Sequence, residues 1–301
     1  MIALRRDGAA VRAVLAAVFF WHAASAPASD VPYVPTPMPV VDAMLGLGGV
    51  GHDDFLIDLG SGDGRISIRA ATRFGTRGMG VDLDDSLVRT ARAAAQKQGV
   101  QDKVTFEMRD LFDTDLGRAT VVTTYLLNSV NLRLRPQLFA QLRPGTRIVS
   151  HDFNFGNWRP DQKITIDVPD KAYGPPTSDI MLWVVPADVS GTWQWTLPGA
   201  TGEVRHEADF AQKFQDLEGV VAVQGRRWRL GEARVRGNAL SFTVGGPDGP
   251  RRYAGRIDGN AITGEIVLRG GESPLRWRAV RVKTGKMDIS TGTTPRGSPA
   301  V

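Results

Sequence analysis

Three glycines alternate with small polar residues behind a carboxylate in Asp58-Leu59-Gly60-Ser61-Gly62-Asp63-Gly64-Arg65. The apolar run Phe55-Leu56-Ile57 before them reads as a strand buried on both faces, and a helical pattern follows. Glycines in a strand-to-helix turn let backbone approach a ligand closely and adopt positive φ. The helix N-terminus behind such a turn aims free N–H groups at the ligand. This is chemistry for holding a nucleotide-like molecule, against the alternative of a tight turn with no ligand. The dinucleotide fingerprint needs its third glycine three residues after the second, where Arg65 stands, and the Gly-Lys-Ser/Thr of a phosphate loop is absent.

Acids recur at the ends of the next two strand patterns. Asp82 closes the run at 78–83, 22 residues after Gly60. A carboxylate there can accept both hydroxyls of a ribose. The alternative is a helix cap, but Asp84, Asp85 and Ser86 already offer caps for a helix over 87–98. Asp110 follows the alternating segment 104–108. It can accept from an adenine amino group while Leu111 or Phe112 covers the ring, or it can be an ordinary surface acid.

The elements that position these residues follow in order. Residues 31–39 hold four prolines, which exclude helix and central strand. This segment is either a stiff linker or a strip laid across the ligand mouth. Residues 40–47 suit a short helix. Strands are expected at 55–58, 78–83, 104–108, 119–127 and 145–153, with helices at 66–74, 87–98 and 132–142. Two further strands, 163–168 and 180–185, follow without a helix between them. Asp58, Asp82, Asp110, Asn128 and His151 all fall at carboxyl ends of strands, where open α/β sheets bind ligands.

Together with Gly80-Val81-Asp82, the glycine motif resembles that of the class I S-adenosylmethionine (SAM)-dependent methyltransferases. The resemblance covers residues 31–186 and implies a Rossmann-like, seven-stranded sheet whose last two strands form an antiparallel edge. Pro32-Tyr33-Val34-Pro35-Thr36 is similar to the small membrane-associated lysine methyltransferases of mitochondria and their bacterial relatives. By this resemblance Asp58, Gly60, Ser61, Gly62 and Gly64 line the methionine part of SAM. Asp82 holds the ribose and Asp110 lies by adenine, with Leu83 and Leu111 also lining the cofactor. The Asn/Asp-Pro-Pro-Tyr motif of nucleic-acid and glutamine amino-group methyltransferases is absent, and Tyr125-Leu126-Leu127-Asn128 stands in its place. The implied acceptor is an amine, a protein lysine or a small molecule, and nucleic acid is not expected.

Methyl transfer from a sulfonium is an in-line displacement, so the protein mainly positions the acceptor and excludes water. An amine acceptor must first lose a proton. Candidate catalytic residues after strands four and five are Tyr125, Asn128 and His151, with Asp152 as an orienting partner for His151. Adjacent residues on an extended strand point to opposite faces, which argues against that pairing. Trp158 either covers the acceptor pocket or packs beneath its loop. Four scattered histidines and no cysteine give no metal site and no disulfide.

The formal charge is +5, of which the first 28 residues carry Arg5, Arg6, Arg12 and Asp7. The remaining +3 is too small to argue for nucleic acid or an anionic membrane. Residues 1–28 have the layout of a secretory signal peptide, with a cut favoured after Ala28, or of an uncleaved membrane leader. An exported, periplasmic or inner-membrane-associated location follows from the leader, and a cytoplasmic one if it does not function. After an approach segment at 29–52 and a methyltransferase domain at 53–186, residues 187–283 alternate in short stretches between Gly, Asp and Asn turns, the pattern of an antiparallel meander or barrel. A helix at 208–217 is the exception to that pattern, and 284–301 is expected to be disordered. The rival reading is a non-catalytic exported binding protein that works through its β-domain.

Overall fold

The computed structural model describes residues 33–172, 174–246, 249–267 and 273–291. The expected leader at 1–28 lies outside the described residues, as do residues 292–301 of the expected tail. No helix among the described residues is long and apolar enough to cross a membrane.

Short apolar runs bounded by glycine and acid turns give the first elements. These are α1 (Met38–Leu47), β1 (Phe55–Leu59), α2 (Arg65–Phe74), β2 (Arg77–Asp82), α3 (Asp85–Lys97), β3 (Val104–Met108) and, after a single 3-10 turn at Leu111–Asp113, β4 (Val121–Thr124). Then come α4 (Asn128–Gln141), β5 (Arg147–His151), β6 (Gln162–Asp167) and β7 (Thr177–Val184). The sheet order is β3-β2-β1-β4-β5-β7-β6. β1 to β5 are mutually parallel, while β7 runs antiparallel to both β5 and β6. This is the seven-stranded sheet with an antiparallel edge that the resemblance implies.

Period-two alternation sends neighbouring residues of one strand to opposite layers. Leu56, Val121, Val149 and Leu182 meet Val41, Leu45, Ile66 and Ala70 of α1 and α2. Ile57, Val122, Ile148 and Trp183 meet Val130, Leu134 and Leu138 of α4 on the other side. α4 begins four residues before the expected 132. Asn128 therefore lies in a helical first turn rather than in a loop, and Pro136 lies within the helix.

The second half forms a closed eight-stranded barrel. Its strands are β8 (Gly191–Gly199), β9 (Gly202–Lys213), β10 (Asp216–Val223), β11 (Arg226–Arg236), β12 (Ala239–Val244), β13 (Arg251–Asp258), β14 (Ala261–Val267) and β15 (Leu275–Thr284). β15 pairs with β8 and closes the ring. The expected helix at 208–217 is instead the end of β9 and the start of β10. His206, Ala208, Phe210 and Gln212 point inward by strict alternation, a period hidden in the sequence because alanine and glutamine stand among the inward residues. Trp193, Trp195, Phe242, Tyr253 and Trp277 fill the interior, with Tyr253 stacked on Phe242 at 4.7 Å and edge-on to Trp277 at 5.2 Å.

The barrel is stitched to the sheet. The Asp161 side chain, almost wholly buried, accepts from Arg234 at 2.6 Å and from the Val184 amide at 2.8 Å. Gln215 donates to the Arg159 carbonyl at 2.7 Å, and Arg159 pairs with Asp216 at 2.8 Å. The expectation of a disordered tail fails for its first part. The Asp288 amide donates to the Gln212 carbonyl, and Ile289 packs against the apolar layer under α4.

Candidate functional site

The turn between β1 and α2 is left-handed at each of its glycines, with φ of +74°, +54° and +77° at Gly60, Gly62 and Gly64. The Gly60 and Ser61 amides both donate to the Val81 carbonyl at 2.9 Å, fastening the turn to β2. A Cβ on Gly64 would lie 2.5 Å from the Phe106 ring and 2.9 Å from Ala91, and one on Gly62 would lie 2.4 Å from the Tyr33 ring. The turn is thus bare of side chains because α3, β3 and the proline-rich segment already fill the space.

Asp58, beneath the turn, is buried. One oxygen accepts from the Thr123 hydroxyl at 2.7 Å, while the other is enclosed with no partner among the described residues. Burial pushes its carboxyl up to about 7. The Thr123 bond works against that rise, and the charges of Asp82 and Asp63 add to it. An enclosed carboxylate oxygen with spare acceptor capacity is a place for an ammonium group. The Ser61 hydroxyl is enclosed in the same way.

Asp82 accepts from the Gly62 amide at 2.8 Å and from the Asp84 amide at 3.0 Å. The cap of α3 is Asp84, so the helix-cap alternative for Asp82 falls away. Leu83 beside it is exposed. Asp110 does cap a turn, accepting from the Phe112 amide at 2.9 Å. Leu111 and Phe112 are half-buried against the core, with the Arg133 guanidinium 4.3 Å above the Phe112 ring.

The proline-rich segment crosses this mouth. Tyr33 lies over Gly62, beside Asp63 and Arg65. Arg65 grips Asp63 through two nitrogens and donates to the Thr36 carbonyl at 2.9 Å. Burial works to raise the Asp63 carboxyl, but Arg65 holds it below the usual carboxylate range. From sequence the segment reads equally as a stiff linker or a strip across the mouth, and none of these contacts is visible there. The available signal was an arginine two residues after an acid at a helix start, facing a tyrosine in a stiff segment.

A second cluster stands at the ends of β4 and β5. The Tyr125 ring stacks on His151, with centroids 3.9 Å apart and planes 27° from parallel. His151 is fully buried. Its Nε2 lies 2.9 Å from the Ser178 hydroxyl and 3.3 Å from Asp152, and its Nδ1 lies 3.5 Å from the Thr36 hydroxyl. Burial lowers its pKa to about 4, Asp152 opposes that drop, and Lys171 adds to it. His151 is therefore a neutral imidazole inside the wall, not an open base. The expectation that His151 and Asp152 cannot meet fails because Asp152 leaves the extended conformation, with φ at +58°. Asp152 also accepts from Lys171 at 2.5 Å, and Lys171 is itself buried and donates to the Thr177 carbonyl. Lys171 carried no signal in the sequence, since its partner lies across a hairpin.

Asn128 does not join this cluster. It is exposed, and its side-chain oxygen accepts from the Asn154 amide at 2.8 Å, holding the loop after β5. Trp158 is buried between Phe139, Trp183 and Phe214. No group of three or more His, Asp or Glu among the described residues could hold a metal ion.

Comparison with known proteins agrees with this geometry. The family model described as ANTKMT methyltransferase domain matches residues 58–162, ending ahead of the barrel. A protein-lysine N-methyltransferase of Saccharolobus islandicus is 44% identical over 138 residues, which are 46% of this chain and 86% of that protein. The adenine nucleotide translocase lysine N-methyltransferase of Mus musculus is 37% identical over 132 residues, 44% of this chain, and the match spans only 57% of the mouse protein. A solved RNA methyltransferase of Salinibacter ruber, in complex with S-adenosyl-L-homocysteine, is 51% identical and covers 52% of this chain and 96% of its own, with a TM-score of 0.47. A signature turn, an enclosed acceptor for an ammonium and a relative matched over most of its length agree: the chain belongs to the class I SAM-dependent methyltransferases, in the branch that includes the protein-lysine N-methyltransferases.

Proposed function

We propose that this methyltransferase acts on the side-chain amine of a protein lysine. The observation that carries the reading is the kinship with the Saccharolobus islandicus enzyme, whose own description is protein-lysine N-methyltransferase and of which the match covers 86%. The wall built from Tyr125 and His151 suits the same acceptor. A neutral, stacked pair adds no positive charge against an incoming ammonium, and an aromatic face attracts one.

In this reading Asp58 receives the ammonium of the methionine part through its unpartnered oxygen, beneath the left-handed glycine turn. Asp82 accepts from the ribose while keeping the Gly62 amide. Leu83, Asp110 and Leu111 stand on the adenine side. Bound SAM supplies a methyl group already activated on a sulfonium. The protein's share is positioning and water exclusion. Tyr33 and Thr36 lay the strip over the turn, and Tyr125 faces the acceptor. A lysine amine ordinarily titrates near 10.4, so the acceptor must shed a proton as it enters, and desolvation against the aromatic wall favours its neutral form.

The test is transfer from SAM labelled in the methyl group to a panel of lysine-rich proteins and to RNA, with Asp82→Ala as control. Label recovered as methyl-lysine after acid hydrolysis, lost in the control, supports the proposal. Label in RNA alone, or in small molecules alone, would sink the lysine reading while leaving the methyltransferase intact.

A further inference from the structure

The outer face of the barrel carries an arginine pattern that methyl transfer does not use. The register aligns Arg256, Thr263 and Arg278 in one row across β13, β14 and β15, and Ala254, Glu265 and Arg276 in the next. Arg252 lies one step further, opposite Val267. Arg252, Arg256, Arg276 and Arg278 are all exposed, and none forms an ion pair among the described residues, although Glu265 lies directly across from Arg276. Neighbouring strands are about 4.8 Å apart, so Arg256 and Arg278 stand about 10 Å from each other across Thr263.

A second observation lies on the same face. Val267, Val280 and Val282 are each about half exposed, and among the described residues they are the large aliphatic side chains that the barrel leaves in solvent. Alternation puts Val280 on the same side of β15 as Arg276 and Arg278, and Val282 follows it at the register shift between Arg281 and Lys283. Arginine is the cation whose planar fork fits phosphate oxygens in pairs. Aliphatic groups beside it gain nothing against a sugar-phosphate backbone, but they do gain at the boundary of headgroups and acyl chains. There is no exposed aromatic on these three strands to stack on bases, since Tyr253 and Trp277 point inward.

We infer that the β13–β15 face of the barrel docks on the surface of an anionic phospholipid membrane, with arginines on the phosphates and valines at the headgroup boundary. This attachment is separate from the leader at 1–28 and does not depend on which acceptor is methylated. The attraction is electrostatic in its larger part, so it weakens with salt.

The test is sedimentation of the full chain with vesicles of phosphatidylcholine alone and of phosphatidylcholine with phosphatidylserine, at low and high salt. The variant is Arg256→Gln with Arg278→Gln, checked for an unchanged melting temperature and unchanged SAM binding. The full chain keeps its leader in both proteins, so the difference between them reports the face. Binding to the anionic vesicles about tenfold weaker in the variant, and lost at high salt in the wild type, is the expected result. Equal binding of variant and wild type would overturn the inference. So would equal binding to both kinds of vesicle, or tighter binding to a short RNA duplex than to the anionic vesicles.

Discussion

Tyr125 lies on His151 with their rings 3.9 Å apart, and the imidazole beneath it is held neutral by burial. The pair joins the ends of β4 and β5 into one wall. Through Thr36, His151 also touches the strip that crosses the glycine turn.

Replacing His151 by alanine therefore has two expected effects. Removing a buried ring bonded to Ser178 lowers stability by about 2–4 kcal/mol, read by chemical denaturation. Turnover falls at least tenfold because Tyr125 loses its support, while the SAM dissociation constant by calorimetry stays within about twofold. Because the imidazole stays neutral above about pH 4, no ionisation of His151 appears in the rate profile between pH 6 and 9. A rate that tracks a titration near pH 6.5 and vanishes from the profile in His151→Gln would give His151 a proton-transfer role instead.

Asp58 makes the apo protein pH-sensitive. Its folded pKa of about 7 lies above the ordinary carboxylate value, so the folded state holds a proton that the unfolded chain has released. Stability from this group is full below about pH 4 and declines as pH rises toward 7, by a limit on the order of 4 kcal/mol. SAM affinity is expected to have the opposite trend, since the anion is the proposed receiver of the ammonium. Asp58→Asn is expected to flatten the stability profile and weaken SAM binding at least tenfold at pH 8, followed by melting curves and calorimetry from pH 5 to 8.

Two glycines of one turn separate fold from binding. Gly64→Ala forces a Cβ into Phe106 and Ala91 at a left-handed position, and a loss above about 2 kcal/mol is expected. Gly62→Ala carries the strain of a left-handed φ of +54°, but it meets the ring of Tyr33, which is half exposed and can swing aside. Its cost falls on the strip and on SAM affinity more than on the melting temperature. Equal losses of stability in the two variants would show that the strip is as rigid as the core.

The candidate cofactor half of the site is the part legible in sequence, because its parts sit in one turn or at a fixed step from it. Asp58 and the glycines are contiguous, and Asp82 ends the adjacent strand. The acceptor half is not, because it depends on tertiary neighbours. Tyr125 and His151 were both singled out, yet nothing in sequence brings them face to face. Alternation separated His151 from Asp152, and a single left-handed residue undid it. Asn128 reads as a pocket residue because the β-branched run suggests a strand to 127; α4 starts at Asn128 and turns it to the loop at Asn154. In the barrel, alanine and glutamine at inward positions hid the period of β9.

The loop that follows β5 is held at three points by residues far along the chain. Gln215 takes the Arg159 carbonyl, Arg234 takes Asp161, and Asn157 donates to the carbonyl of Ser290. On the ribosome the sheet emerges well before any of these partners. The cofactor turn, built from local contacts, is then complete while the loop that follows His151 still waits for its anchors. The enzyme is expected to mature in two stages, able to hold SAM before it can present an ordered acceptor wall, and a chain interrupted within the barrel would stop at the first.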